Sequence, residues 1–257
     1  MIIIERMQYF FPILALSMNL PPQTQAEDKV GGLPWGLPIE KYPVCCDCGR
    51  SQSLLVQLMH HPQRLDLERA GRALFVFHCN YDSDCATWEG GHCANACFVL
   101  EPEELTTQLT PLPSDNPPLE VEVRIVGWKA DDDGMPEDRV TPNGQIIGFE
   151  ENHNERMNFY EEHLVEKDFL GLKLGGCPLW IQDPREAPQP GWKFAAQLDI
   201  TGLVLDEEPI EPPKDEFIYQ LDDGRWHCQW PNLGSATGYV FIRPQAERMQ
   251  GWFFYQC

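Results

Sequence analysis

The chain has 257 residues, enough for one large domain or two small ones with a proper core. Its apolar and aromatic content, with eight Trp, excludes a disordered chain. Forty Asp and Glu stand against nineteen Lys and Arg, a formal net charge of −21. That balance argues against nucleic-acid binding, where cations neutralise phosphates, and against docking on anionic membrane. It favours a basic partner, although solubility alone also explains an acidic chain.

In chain order, YFFPILALSMNL (9–20) follows Arg6 and has some look of a signal peptide. Glu5 in the would-be basic region and Pro12 inside the apolar run fit that poorly, and the run is too short to span a bilayer. A β-strand over Met7–Leu16 is expected instead. Gly31, Gly32 and Pro34 then form a turn, the glycines supplying φ > 0 and the proline fixing the exit. LLVQLM (54–59) and LFVFHC (74–79) read as strands. Residues 101–120 carry five prolines and read as a short helix followed by a linker. VEVRIVGW (121–128) is strand-like, and Asp131-Asp132-Asp133-Gly134 resembles the start of a calcium loop. The alternating ligand spacing is missing and Pro142 stands where the closing Glu belongs, so a solvated turn is expected. A helix is predicted over 152–174, with Met157, Tyr160, Leu164 and Phe169 or Leu170 as its stripe.

Lys29-Val30-Gly31-Gly32-Leu33-Pro34 returns as Lys173-Leu174-Gly175-Gly176-Cys177-Pro178. Each copy precedes a strand with a Gln-Leu pair, at Gln57 and Gln197, and a later apolar strand, LFVFHC or GYVFIR (238–243). The expected fold is a β-rich α+β structure, internally duplicated, with mostly antiparallel sheets in a two-lobed single unit and a few short helices. Residues 1–100 form the first repeat, 101–120 the acidic Pro-rich linker and 121–257 the second repeat. Gly31, Gly32, Pro34, Gly175, Gly176, Pro178, Gln57 and Gln197 are the expected structural residues. Trp35 and Trp180 are read as core, with aromatic anchoring of a client as the alternative.

No nucleophile elbow, P-loop or zinc-protease motif occurs, so no catalytic residue is assigned and the chain is read as not an enzyme. Ten cysteines are present. Without a convincing signal peptide the reducing cytoplasm is the expected setting, with most thiols free. Cys45-x-x-Cys48-Gly49 has the turn of a zinc knuckle, and its second pair would be Cys93 with Cys97, or Cys79 with Cys85. The second half has no thiol at the matching turn, which favours free cysteines and no cofactor over a structural zinc. A Cys79–His92 nucleophile pair is the enzymatic alternative.

Acid is concentrated in residues 101–170, with 18 Asp and Glu against 5 Lys and Arg, and again in 206–216. Asp131, Asp132, Asp133, Glu137, Asp138, Glu161 and Glu162, with Glu101–Glu104, are the candidates for meeting a basic client.

The order KVGGLPW (29–35), CCDCG followed by SLLVQL (45–58) and RALFVFHC (72–79), with Cys85 and Cys97 behind, resembles the programmed cell death protein 2 family and its ribosome-assembly relatives. KLGGCPLWIQ (173–182), FAAQLD (194–199), GSATGYVFI (234–242) and FFYQC (253–257) resemble the bacterial YwqG family, itself similar to the first. The resemblance implies a β-rich fold without established catalytic residues, and a chaperone for a basic ribosomal protein or a toxin-immunity role. The zinc-binding insertion of the animal proteins has no counterpart here. The expected function is a non-enzymatic acidic protein that shields a basic protein client, with a zinc-binding or Cys/His-dependent enzyme as the alternative.

Overall fold

The computed structural model describes residues 6–81, 84–148, 153–163, 171–188, 191–199, 202–205, 208–209, 217–231, 233, 236–245 and 248–257. Its first half contributes β1 (Arg6–Leu16), β2 (Lys29–Val30), β3 (Ser53–Met59), β4 (Ala73–His78) and β5 (Asn95–Leu100). Then come β6 (Val123–Pro136), α1 (His153–His163), β7 (Leu172–Gly175), β8 (Lys193–Leu198), β9 (Leu203–Leu205), β10 (Ile218–Gln220), β11 (Trp226–Cys228), β12 (Thr237–Gln245) and β13 (Arg248–Gln256). Short 3-10 turns make up the remaining helical content.

Ten strands close into a barrel in the order β1-β6-β2-β3-β4-β5-β13-β12-β8-β7, with β7 returning to β1. Every neighbouring pair is antiparallel. Closure leaves the barrel itself without an edge strand. A three-stranded sheet, β10-β11-β9, packs beside it.

The β-rich, mainly antiparallel expectation therefore holds, and closure of ten strands into one ring is a feature that the expected two-lobed single unit did not include. β1 pairs along its length with β6, so the first strand of one half is stitched to the first strand of the other.

Period-two alternation explains the packing. Leu74 and Val76 of β4 and Val240 and Ile242 of β12 join one large cluster with Leu14, Val30, Leu58, Leu174 and Trp230. The intervening residues turn to the opposite face. Phe75 and Phe77 pack with Leu37, Tyr42 and Leu54, and Tyr239 and Phe241 pack with Trp180, Cys177 and Phe254. These strands are buried on both faces, which is why they read as continuous apolar runs.

Two sequence expectations need correction here. The Asp131–Asp133 run is no solvated turn: it continues β6, with Asp131 opposite Tyr9 and Asp132 opposite Gln8. Aspartate disfavours strands, but the long pairing with β1 overrides that preference. Residues 172–174 are strand β7, not the tail of a helix, because β1 and β8 pair with them from either side. Of the helix, α1 buries Phe159 and Tyr160, and Leu164, Phe169 and Leu170 lie outside the described residues. Among the described residues no helix is long and apolar enough to cross a membrane.

Candidate metal centre and acidic surface

The two Gly-Gly-x-Pro turns share one local design. Gly31, Gly32, Gly175 and Gly176 all have φ between 61° and 68°, the left-handed region that glycine enters without steric cost. Lys29 and Lys173 are buried and fold back over their own turns, each Nζ donating to the carbonyl four residues on: Leu33 at 2.8 Å and Cys177 at 2.5 Å. Lys29 lies opposite Gln57 in the ladder and Lys173 opposite Gln197. Each glutamine's Oε1 accepts a backbone N–H from beyond the turn, Trp35 at 2.8 Å and Leu179 at 2.9 Å. Carboxylates complete the pair: Glu122 sits 2.5 Å from Lys29 Nζ, and Asp133 accepts the Cys177 N–H at 2.6 Å beside Lys173. Burial lowers both amines, bringing Lys173 down to about 8.

The four thiols of Cys45, Cys48, Cys79 and Cys85 converge, with every Sγ within 4.8 Å of the others. Cys48 and Cys79 are 3.5 Å apart, and Cys79 and Cys85 are 3.7 Å apart. Thiolates on one tetrahedral zinc, at Zn–S of about 2.3 Å, lie roughly 3.8 Å from each other, so this spacing suits the ion. The hairpin register explains the convergence. Ser53 of β3 pairs with His78 of β4, so Cys79 leaves its strand beside the Cys45–Cys48 turn that leads into β3. Burial acts to raise the Cys48 thiol. The backbone of Arg50 and the thiols of Cys79, Cys85 and Cys45 outweigh it and hold the group below its ordinary range. Burial pushes Cys79 up to about 11 and Cys85 higher still.

Of the predicted ligands, Cys45 and Cys48 belong to this cluster and Cys93 and Cys97 do not. Cys93 is joined to Cys46 by a disulfide, and the other eight cysteines are free, in keeping with the expectation that most would be. Cys97 pairs with Val76 inside β5 and lies against Gly251 of β13. Cys79 and Cys85 appear in the sequence only as the alternative pair. A cysteine placed just past the strand that pairs with the one after a C-x-x-C turn is the signal that singles them out. Cys79 faces Cys48 and Cys85, whereas His92 lies beside Cys46 and Cys93.

The acidic candidates divide sharply. Asp131, Glu137, Asp138 and Glu162 are exposed, and Asp132 is half-buried in a 3.8 Å pair with Arg6. Asp133 is fully buried and accepts the N–H groups of Met135 and Cys177, so it holds the second turn rather than a partner. Burial raises its carboxyl. Trp180 is fully buried, stacked 4.6 Å from Tyr239 with its Nε1 donating to Gly144, and Trp35 is 9% exposed. Both tryptophans are core. Glu101, Glu103 and Glu104 are engaged by Arg69, Arg72, Lys41 and Arg248, and those cations hold all three carboxyls below the usual range. The Glu161 side chain and most of 206–216 lie outside the described residues.

No family model, no curated protein and no solved structure matches the chain.

Proposed function

We propose that the chain is a non-enzymatic, cytoplasmic binding protein whose acidic surface takes a basic protein client, with zinc on the four-thiol cluster stapling its first half. The observation that carries the client is the placement of the acid: Asp131, Asp132, Glu137 and Asp138 fall along the last third of β6 and the turn after it, within eight residues, and none is fully buried. The resemblance in motif order to the programmed cell death protein 2 and YwqG families supports the same reading. The staple has a physical rationale too, since four thiolates tie the turn before β3 to the loop after β4.

We also read the barrel as an internal duplication. Exchanging β1 with β6, β2 with β7, β3 with β8, β4 with β12 and β5 with β13 returns the same ring order in reverse. A register shift falls at the same place in β3 and β8, where Leu55 and Ala195, each two residues before its glutamine, are skipped by the ladder.

The test uses a Lys/Arg-rich peptide as probe, with association followed by stopped flow. The combined Asp131→Asn, Asp132→Asn, Glu137→Gln and Asp138→Asn variant should lower the on-rate severalfold with little change in off-rate, and added salt should do the same to the wild type. An on-rate indifferent to both removes the electrostatic reading. With the Cys46–Cys93 bridge oxidised, chelation should lower the melting temperature of the wild type and leave a Cys48→Ser, Cys79→Ser chain unchanged, checked by calorimetry.

A further inference from the structure

A second group of donors lies just outside the four-thiol cluster. The Cys45-Cys46-Asp47-Cys48 turn sends its first and last residues inward, while Cys46 and Asp47 remain exposed. Cys46 is bonded to Cys93, which is also exposed, and a ring nitrogen of His92 lies within 4.8 Å of both sulfurs. Asp47 adds a carboxylate: its Oδ1 is 3.6 Å from Cys46 Sγ and 3.7 Å from His92 Nε2, while Oδ2 accepts the Ala86 N–H at 2.8 Å. Backbone hydrogen bonds fix both loops, from Cys45 to Arg50 and from Asn95 to His92. Two sulfurs, an imidazole and a carboxylate are thus gathered from two braced loops at the surface, a donor set that suits zinc.

We propose that reduction of the Cys46–Cys93 bridge converts this group into a second zinc site, with Cys46, Cys93 and His92 as ligands and Asp47 beside the fourth position. A dithiol reductant supplies two electrons and two protons. The S–S bond breaks, two thiols form, and the reductant leaves as its own disulfide. Zinc then displaces one proton from each thiol to solvent. Bridge and ion exclude each other, because bonded sulfurs are about 2.05 Å apart and two thiolates on one tetrahedral zinc are roughly 3.8 Å apart. Occupancy of the exposed site therefore reports the redox state around the protein. The site stands independently of zinc at the four-thiol cluster.

The test counts zinc per full-length chain by native mass spectrometry, after zinc loading, in reduced protein and in protein reoxidised at the bridge. Two ions are expected when reduced and one when oxidised. The reduced Cys46→Ser, Cys93→Ser chain should hold one. His92→Ala leaves the bridge able to form and should weaken the second ion at least tenfold. One ion in both redox states, or a second ion that survives loss of Cys46 and Cys93, overturns the proposal. Reduced Cys48→Ser, Cys79→Ser protein should retain one redox-dependent ion. If that variant matches the wild type at one ion, the four-thiol centre fails and the surface site stands.

Discussion

A methyl group added at Gly31 would lie 2.0 Å from the Val121 carbonyl oxygen, and at Gly49 it would meet nothing within 4 Å. Both residues have positive φ, so an alanine at either is strained by about 1 kcal/mol. Only Gly31 adds a backbone collision that no side chain can relieve. Gly31→Ala should therefore cost at least about 2 kcal/mol more than Gly49→Ala in urea melts. The need for glycine is legible in the sequence, because Gly-Gly before x-Pro has few other uses. The buried lysine beside it is not, since lysine reads as a surface residue in any one-dimensional pattern. Lys173 supplies a pH test. Its folded-state value of about 8 lies below the ordinary lysine value, so between pH 8 and 10.5 the unfolded chain retains a proton that the folded chain has released. Stability contributed by this group therefore rises with pH across that window and is level below it. Relative to Lys173→Met, the wild type should gain up to about 3 kcal/mol between pH 8 and 10.5. A constant difference across that range would show that the amine does not titrate there.

At the scale of elements, β3 and β8 each carry one buried glutamine that closes a turn. Gln57→Met keeps the volume and removes the acceptor for the Trp35 N–H. The expected cost is about 1–3 kcal/mol, the penalty for a buried donor left alone, read by denaturant titration. Gln197→Met should behave alike through Leu179. The long apolar strands were legible because burial on both faces writes itself as uninterrupted Val, Leu and Phe. β7 was not: Leu-Lys-Leu-Gly at the end of a predicted helix is too short for its alternation to stand out, and pairing with β1 and β8 makes it a strand. The acidic run in β6 misled for the related reason that three aspartates look solvated until Asp133 is seen packed under the second turn.

For the molecule as a whole, a formal charge of −21 means that folding brings like charges together. Moderate salt screens that repulsion over about 8 Å, so the melting temperature should rise with added sodium chloride, while association with a basic peptide slows. A fall in melting temperature would mean that local pairs such as Arg72–Glu101 outweigh the global term. The repeated Lys-x-Gly-Gly-x-Pro motif made two similar turns legible, one in each part of the chain. Closure of both parts into one barrel was hidden, because the stitch between them is the β1–β6 pairing, more than a hundred residues apart in the chain and carried by no local motif.

That stitch has a consequence for dissection of the chain. Each half lends its leading strand to the other's side of the ring, β1 to β7 and β6 to β2, so either half alone would expose unpaired strand edges. A break at the exposed Pro111–Leu112 stretch should yield two fragments that aggregate when made singly and co-elute as a native-sized heterodimer when made together. Cut there, the chain would behave as two associating pieces, and the uncut segment between them sets the local concentration at which they find each other.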